Sequence, residues 1–515
     1  MSQNIYLVGA GPGDPGLLTR RGAEVLQKAD VVIYDRLANP ALLKLAPEHA
    51  ECIHVGKLPG RQRLKQAGVM ALLLEKAQTG KLVVRLKGGD PFIFGHGGEE
   101  GAALRAAGMS FEVIPGVTSA MAVPAYAGIP LTHREVGPAF TVISAHHEPA
   151  ASSLDYDALA NFAKNTTLVI LMGVRTLPKV VAALAAGGLP LDTPVATTQW
   201  GTHSRQRTAT GTLGTIVSEV EKQGIKSPAV TIIGEVVSYR ERLRWFDLLE
   251  QRPLLGTRVV VTRARQQASS FSHRLRQLGA EPIELPAIRI VPPADEYAAL
   301  DQAIADLTQY NWILFTSVNG VHHFWQRLMK SGQDARKLGH LRIAAIGSAT
   351  AKALREYSIL ADLVPKEFVA ESLLDALRNE TISHQHFLLP RADIARNMLP
   401  EGLRAAGAEV TEVDAYRTVL GQPDASTIAA LQDGADIITF TSSSTVRNFM
   451  ALLATEGMTE LVKQAIIATI GPITTRTAHK LGLSVSIQAE TYTIAGLTEA
   501  LVKWKKEQIH SFSDS

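Results

Sequence analysis

At 515 residues, 46% of them hydrophobic and 20% charged, the chain is several times the size of an ordinary domain, which excludes disordered and collagen-like classes and implies two to four globular units. A net charge of +3 without a polybasic tract gives no argument for a nucleic-acid partner. The lone Cys52 can form neither an internal disulfide nor a cysteine-rich zinc site. The first residues lack a positive n-region and read as strand and then turn, and apolar runs such as 168–174 fall far short of the roughly 18–20 residues of a membrane span, so a cytoplasmic chain is expected.

In the first half, β-branched runs at 5–8, 31–34, 82–85 and 141–143 alternate with helical stretches, and this predicts an α/β unit with a largely parallel sheet. The first strand runs directly into Gly9-Ala10-Gly11-Pro12-Gly13-Asp14-Pro15-Gly16. Gly11, Gly13 and Gly16 satisfy the dinucleotide fingerprint, with Asp35 at the usual distance for a ribose carboxylate. Against that reading, Pro12 and Pro15 remove N–H donors a pyrophosphate would need, and Asp14 would face the anion with a like charge. Asp14 better suits a helix N-cap, with Pro15 at the first helical position.

Residues 85–100 place five glycines, Asp90 and the aromatics Phe92 and Phe94 behind a strand. That combination makes a partly apolar pocket with one fixed negative charge, suited to a sulfonium cation carrying an adenine ring. A purely structural glycine turn remains the alternative for either motif alone. Near residue 250 the texture changes: the charged segment 239–242 leads to Gln251-Arg252-Pro253 and a new strand at 258–261, so the domain boundary is placed there.

The second half contains an internal repeat. Ile346-Gly347 returns 124 residues later as Ile470-Gly471, and at similar offsets Phe315-Thr316-Ser317 returns as Phe440-Thr441-Ser442 and Gly279-Ala280-Glu281 as Gly407-Ala408-Glu409. A unit of this length is too long for a solenoid and implies two similar α/β lobes with a cleft between them. Its Thr-Ser and Gly-x-x-Thr turns offer hydroxyls and helix N-termini, which bind anions well, though some of these residues serve only as caps.

Taken together, 8–19, Asp35-Arg36-Leu37, 85–100, 114–120, 127–134 and Ser227-Pro228-Ala229 resemble uroporphyrinogen-III C-methyltransferase across roughly residues 3–245. The resemblance implies a homodimeric, two-lobed tetrapyrrole methylase domain, 1–245, that moves methyl groups from S-adenosylmethionine to C2 and C7 of uroporphyrinogen III, giving precorrin-2. By resemblance, the methyl-donor contacts fall on Pro12, Gly88, Gly89, Asp90, Ile93, Thr118, Ser119, Met172 and Gly201, and the acid/base pair on Asp35 and Lys57. His96 stands where that family usually has arginine, Ser144-Ala145-His146 where Thr-Gly-His is usual, and 61–70 lacks the usual Pro-Gln-Glu-Glu pattern.

After a linker, 246–253, the ordered motifs at 261–263, 315–317, 346–347, 389–392, 415–418, 440–442 and 470–472 resemble uroporphyrinogen-III synthase, giving a domain at 254–515. The resemblance implies two flavodoxin-like lobes that enclose hydroxymethylbilane and close it with inversion of the last ring. Tyr416 matches that family's tyrosine near the leaving hydroxyl, and Ser317, Ser442 and Thr474 match substrate-contacting turns. The product of the second half is then the substrate of the first, which implies a bifunctional enzyme leading toward sirohaem or cobalamin, with small tetrapyrroles as its partners and no metal. The competing readings are an NAD-dependent oxidoreductase on the 11–16 loop and a two-lobed ligand-binding module that regulates the first half.

Overall fold

A computed structural model describes residues 4–513, apart from 48, 57–65, 264, 366–369, 379, 381, 394–396, 424 and 433. Four five-stranded sheets are arranged as two pairs, one pair in each half of the chain. The first sheet is wholly parallel, in the order 51–54, 31–34, 83–87, 5–9, 112–114. Its three inner strands are apolar on both faces apart from Arg85 and Lys87, as a sheet covered by helices on both sides requires.

The second sheet, in the order 140–144, 167–171, 229–233, 194–199, 207–212, corrects the expectation of a largely parallel sheet throughout this half. Only its first pair is parallel; the other three pairings are antiparallel. The physical reason is connection length: strands 194–199 and 207–212 are joined by a short turn, which permits only antiparallel pairing, whereas parallel neighbours need a crossover.

The repeat in the second half is real, and the lobes it builds are exchanged. Strand Arg342–Ala345 and helix Ser348–Glu356 recur 124 residues later as strand Ile466–Thr469 and helix Pro472–Lys480. Yet strand Arg258–Val261, which opens the first copy, pairs with Ile437–Phe440 of the second copy. Strand His386–Ala392, which opens the second copy, pairs with Trp312–Phe315 of the first. One lobe therefore has the order 281–284, 258–261, 437–440, 466–469, 485–488, all parallel. The other repeats it as 409–420, 386–392, 312–315, 342–345, with an isolated parallel bridge at Leu363 in the fifth place.

The chain crosses between these lobes twice, and the crossings form a two-stranded antiparallel ribbon, Ile288–Val291 against Arg417–Leu420. At its base Gly421 N–H donates to Ala287 O at 3.0 Å, and a Cβ on Gly421 would lie 1.8 Å from Pro286 O. The segment joining the two halves is packed: Phe246 is buried against Tyr126 and Trp245, with the Arg252 guanidinium 4.2 Å from its ring centroid. Across the junction Lys44 Nζ meets the buried Glu284 Oε2 at 2.5 Å, Arg276 lies 3.8 Å from the other oxygen, and Ser204 donates to Glu281 at 3.4 Å. Burial alone would raise the Glu284 carboxyl; Lys44 and Arg276 outweigh it and hold the group below the ordinary glutamate range. Among the described residues, no helix is long and apolar enough to cross a membrane.

Candidate functional site

At the C-terminal edge of the first sheet three loops meet backbone against backbone. Gly11 and Gly89 form an antiparallel bridge, with N–H···O distances of 3.2 and 2.8 Å. A Cβ on Gly9 would lie 2.4 Å from Gly116 Cα, and one on Gly116 would lie 2.2 Å from Gly89 O. Only glycine permits this approach. Gly89 also holds a φ of +69°, and the nearest heavy atom to its missing Cβ is Thr118 Cα at 4.0 Å, so open space lies above it.

Asp14 accepts Gly16 N–H at 2.8 Å and caps the 3-10 turn Pro15–Leu17, as its spacing with Pro15 predicts. Its other oxygen accepts the Tyr126 hydroxyl at 2.8 Å, and its own N–H donates to Thr202. Pro12 therefore sits on a loop clamped from the second lobe of this half. Asp90 likewise fastens loops: one oxygen accepts Phe92 N–H at 2.8 Å and the other Gly116 N–H at 2.9 Å. Thr118 caps helix Ser119–Tyr126, and a Cβ on Gly201 would strike Val123 of that helix. Gly88 backs onto Leu37, so the same glycine stretch reaches the turn after Asp35. Ile93 and Met172 are half-exposed apolar side chains, Met172 with a φ of +55° at the end of its strand. This glycine cradle with one carboxylate and apolar walls fits a nucleoside sulfonium.

Asp35 stands at the end of strand Val31–Tyr34, where one oxygen accepts Leu37 N–H at 3.0 Å and the other lies 3.8 Å from Arg85. Lys57 lies outside the described residues. His96 takes a left-handed conformation at the start of helix Gly97–Ala106 and pairs through Nδ1 with Glu99 Oε1 at 3.0 Å, both exposed. Beneath Asp35 is a group of charges that sequence reasoning missed, Arg85, Lys87 and Glu100. The signal for it is a pair of cations two residues apart in an otherwise apolar strand. His203 is half-buried against Gly13, and desolvation first of all drives its imidazole toward the neutral form.

In the second half Tyr416 lies on the long strand Glu409–Leu420, opposite a register shift at Arg391/Ala392, just before that strand joins the crossing ribbon. Its hydroxyl is 3.0 Å from Ser317 Oγ, and Ser317 caps helix Val318–Lys330 by accepting Gly320 N–H at 3.0 Å. Burial pushes the phenol up, and hydrogen bonds with Ser317 and Asn319 draw it partly back, so it is protonated near neutral pH. His323 stacks on its ring at 5.7 Å and contacts the Tyr297 hydroxyl at 2.9 Å. Ser442 is also a cap, in a reciprocal capping box with Thr445. Thr474 is buried in the first turn of helix Pro472–Lys480. The structure brings Ser317 and Tyr416 together; Ser442 and Thr474 belong to the other lobe.

Two family models match the chain: Tetrapyrrole (Corrin/Porphyrin) Methylases over residues 4–217, and Uroporphyrinogen-III synthase HemD over 269–499. Porphyrin biosynthesis protein HemD of Ruminiclostridium josui is 38% identical over 97% of this chain and 97% of its own length. Uroporphyrinogen-III C-methyltransferase of Priestia megaterium is 49% identical over 46% of this chain and 98% of its own. A solved Uroporphyrin-III C-methyl transferase of Thermus thermophilus, complexed with S-adenyl homocysteine, is 39% identical over 46% of this chain and 99% of its own, with a TM-score of 0.39. These matches leave no support for the NAD-dependent or purely regulatory readings.

Proposed function

We propose, for a chain that belongs to the family joining a tetrapyrrole methylase to a uroporphyrinogen-III synthase, a division of labour between two sites. The chain is an S-adenosylmethionine-dependent uroporphyrinogen-III C-methyltransferase and a uroporphyrinogen-III synthase, a tetrapyrrole-biosynthesis enzyme. In our reading the methylase occupies 1–245, the linker 246–253 and the synthase 254–515, and the two synthase lobes are flavodoxin-like. The strand order 281–284, 258–261, 437–440, 466–469, 485–488, a 2-1-3-4-5 arrangement, supports that last assignment.

The observation that carries the methylase assignment is the three-loop glycine junction with open space over Gly89. Pro12, Gly88, Gly89, Asp90, Ile93, Thr118, Ser119, Met172 and Gly201 would hold the donor, which supplies an electrophilic methyl group when bound. Asp35 as base and Lys57 as acid manage the protons of the macrocycle, which loses one proton net for each methyl group gained at C2 and C7. In the synthase, the Tyr416 phenol donates to the departing hydroxyl of hydroxymethylbilane. Ser317, Ser442 and Thr474, with the helix N-termini they belong to, hold its carboxylates in a folded-back shape. The methylase half pairs as a homodimer in the cytoplasm in this reading, which light scattering of the full chain tests.

Mass spectrometry of the products from hydroxymethylbilane tests the division directly. Uroporphyrinogen III is expected without the donor, and with it a product heavier by two CH2 units, two methyl groups gained for two protons lost. Donor-independent mass, or no cyclic product, would overturn the proposal.

A further inference from the structure

Arg85 and Lys87 are two residues apart on the central strand Val83–Lys87, so both point to one face of the sheet, where they are 4% and 3% exposed. Glu100, on helix Gly97–Ala106, is 0% exposed. Its Oε1 accepts from Lys87 Nζ at 2.8 Å, Arg85 Nε at 3.2 Å and Gln66 Nε2 at 3.4 Å. Its Oε2 is buried with no hydrogen-bond partner among the described residues. Arg85 uses Nη1 on the carbonyls of Ile33 and Leu86, and its Nη2 lies 3.8 Å from Asp35 Oδ2. Two cations and two carboxylates thus run from the helix, under the glycine stretch, to the end of the neighbouring strand.

Such a group is a poor way to stabilise a fold, because desolvating buried ions consumes most of what their attraction returns. Its position supplies the missing reason: Lys87 directly precedes Gly88 and Gly89, and Arg85 touches Asp35. We propose that Glu100 is a positioning residue for methyl transfer, holding Arg85 and Lys87 so that their combined field fixes the Asp35 carboxylate and sets the pH range in which it accepts a proton. This rests on the reading of Asp35 as the base. Burial and the neighbouring Arg85 already draw the Lys87 ammonium down, and Glu100 opposes them, so the three groups are electrostatically linked.

The other groups facing Asp35 are Arg36 of its own turn and His54 of the adjoining strand. Burial drives His54 toward neutrality while Asp35 favours its charged form. Lys57 and the rest of 57–65 lie outside the described residues.

The sign follows from the charges. Glu100→Gln removes the anion and leaves two cations over Asp35, so the acid limb of the methylation rate against pH moves to lower pH. Lys87→Met removes one cation and leaves Glu100, so that limb moves to higher pH. The double variant Lys87→Met/Glu100→Gln restores the balance and returns it toward the parent. Each single shift is expected on the order of half to one pH unit.

The measurement is the initial rate with uroporphyrinogen III and S-adenosylmethionine from pH 3 to 9 on the full chain, with S-adenosylhomocysteine affinity as the check of folding. A structural role alone would lower rates at every pH without opposite displacements. Single variants that keep the parent's acid limb, or move it the same way, would overturn the inference. If Glu100→Gln does not fold, Lys87→Met against the double variant separates the same two outcomes. Asp35→Asn is run in parallel: retention of the parent profile there removes Asp35 as the base. An Asp35→Asn loss beside unmoved Glu100 and Lys87 variants removes only the network.

Discussion

Replacing Tyr416 with phenylalanine removes one hydroxyl beside Ser317 and leaves the ring stacked on His323. The hydroxyl is 3.0 Å from Ser317 Oγ, and burial keeps it protonated, so in the proposed mechanism what is lost is one donor to a leaving hydroxyl. Such a bond in a desolvated site contributes about 1–3 kcal/mol, or roughly a five- to 150-fold change in rate. Ser317 still accepts Gly320 N–H after the change, so the helix cap survives and the fold is expected to hold. Chromatography of the product isomers after oxidation to porphyrins gives both the rate and the partition. A slower reaction that still yields some inverted isomer is expected, because the folded-back shape of the substrate is held by the rest of the cleft. Ser442→Ala combined with Thr474→Val loosens the opposite lobe and is expected to raise the uninverted fraction. If Tyr416→Phe abolished all inverted product while that double variant matched the parent, the phenol would be the essential catalyst and the shape-based account would be wrong.

Asp90→Ala should weaken S-adenosylhomocysteine binding roughly tenfold to a hundredfold by calorimetry, through lost charge and loosened loops; unchanged affinity in a folded variant would refute its donor role. Lys44→Met strips the close partner from buried Glu284, and is expected to cost about 1–2 kcal/mol. That is less than the full penalty for a broken buried pair, since Lys44 is 33% exposed and Arg276 remains. Because the Glu284 carboxyl is held low in the folded chain, its contribution is present above the unfolded glutamate value of about 4.3 and is lost as pH falls through the folded value. The parent and Lys44→Met should therefore differ in unfolding at pH 7 and converge in acid; an equal difference at both pH values would contradict this. A fragment ending at residue 245 should be less stable than one ending at 253, because it loses Phe246 from its contact with Tyr126; equal melting temperatures would place Phe246 outside the methylase core.

Much of this architecture was legible where one residue type dictates one local geometry. Asp14 with Pro15 spells a capped turn, and the structure contains it. The glycines of 9–16 and 85–100 mark turns or a pocket in the sequence, but not that Gly9, Gly11, Gly89 and Gly116 approach one another. The repeat was legible as a repeat because each copy must cap the same helices after the same strands. Which copies pair was not, because a parallel strand reads alike whichever neighbour it finds: Val259 to Val261 carry no mark that selects Ile437 to Thr439 over the strand of their own copy. The buried charges were hidden for a different reason. Arg85, Lys87 and Glu100 look like solvated surface in sequence, and only the covering helix makes them interior.

The exchange of strands bears on how the synthase half works. Had the repeats folded in tandem, one crossing would join the lobes and they could swing freely. As built, two crossings pair as a ribbon of four residue pairs. The close passage of Gly421 against Pro286 O locks its base. Tyr416 stands on the strand that enters this ribbon, two residues before Thr418, which is paired with Ile290. The ribbon that joins the lobes and the Tyr416 phenol therefore share one strand. In the proposed mechanism, closure of the lobes on substrate and alignment of the Tyr416 donor run through that one strand. That is the arrangement expected when catalysis consists mainly of holding a flexible substrate in one shape.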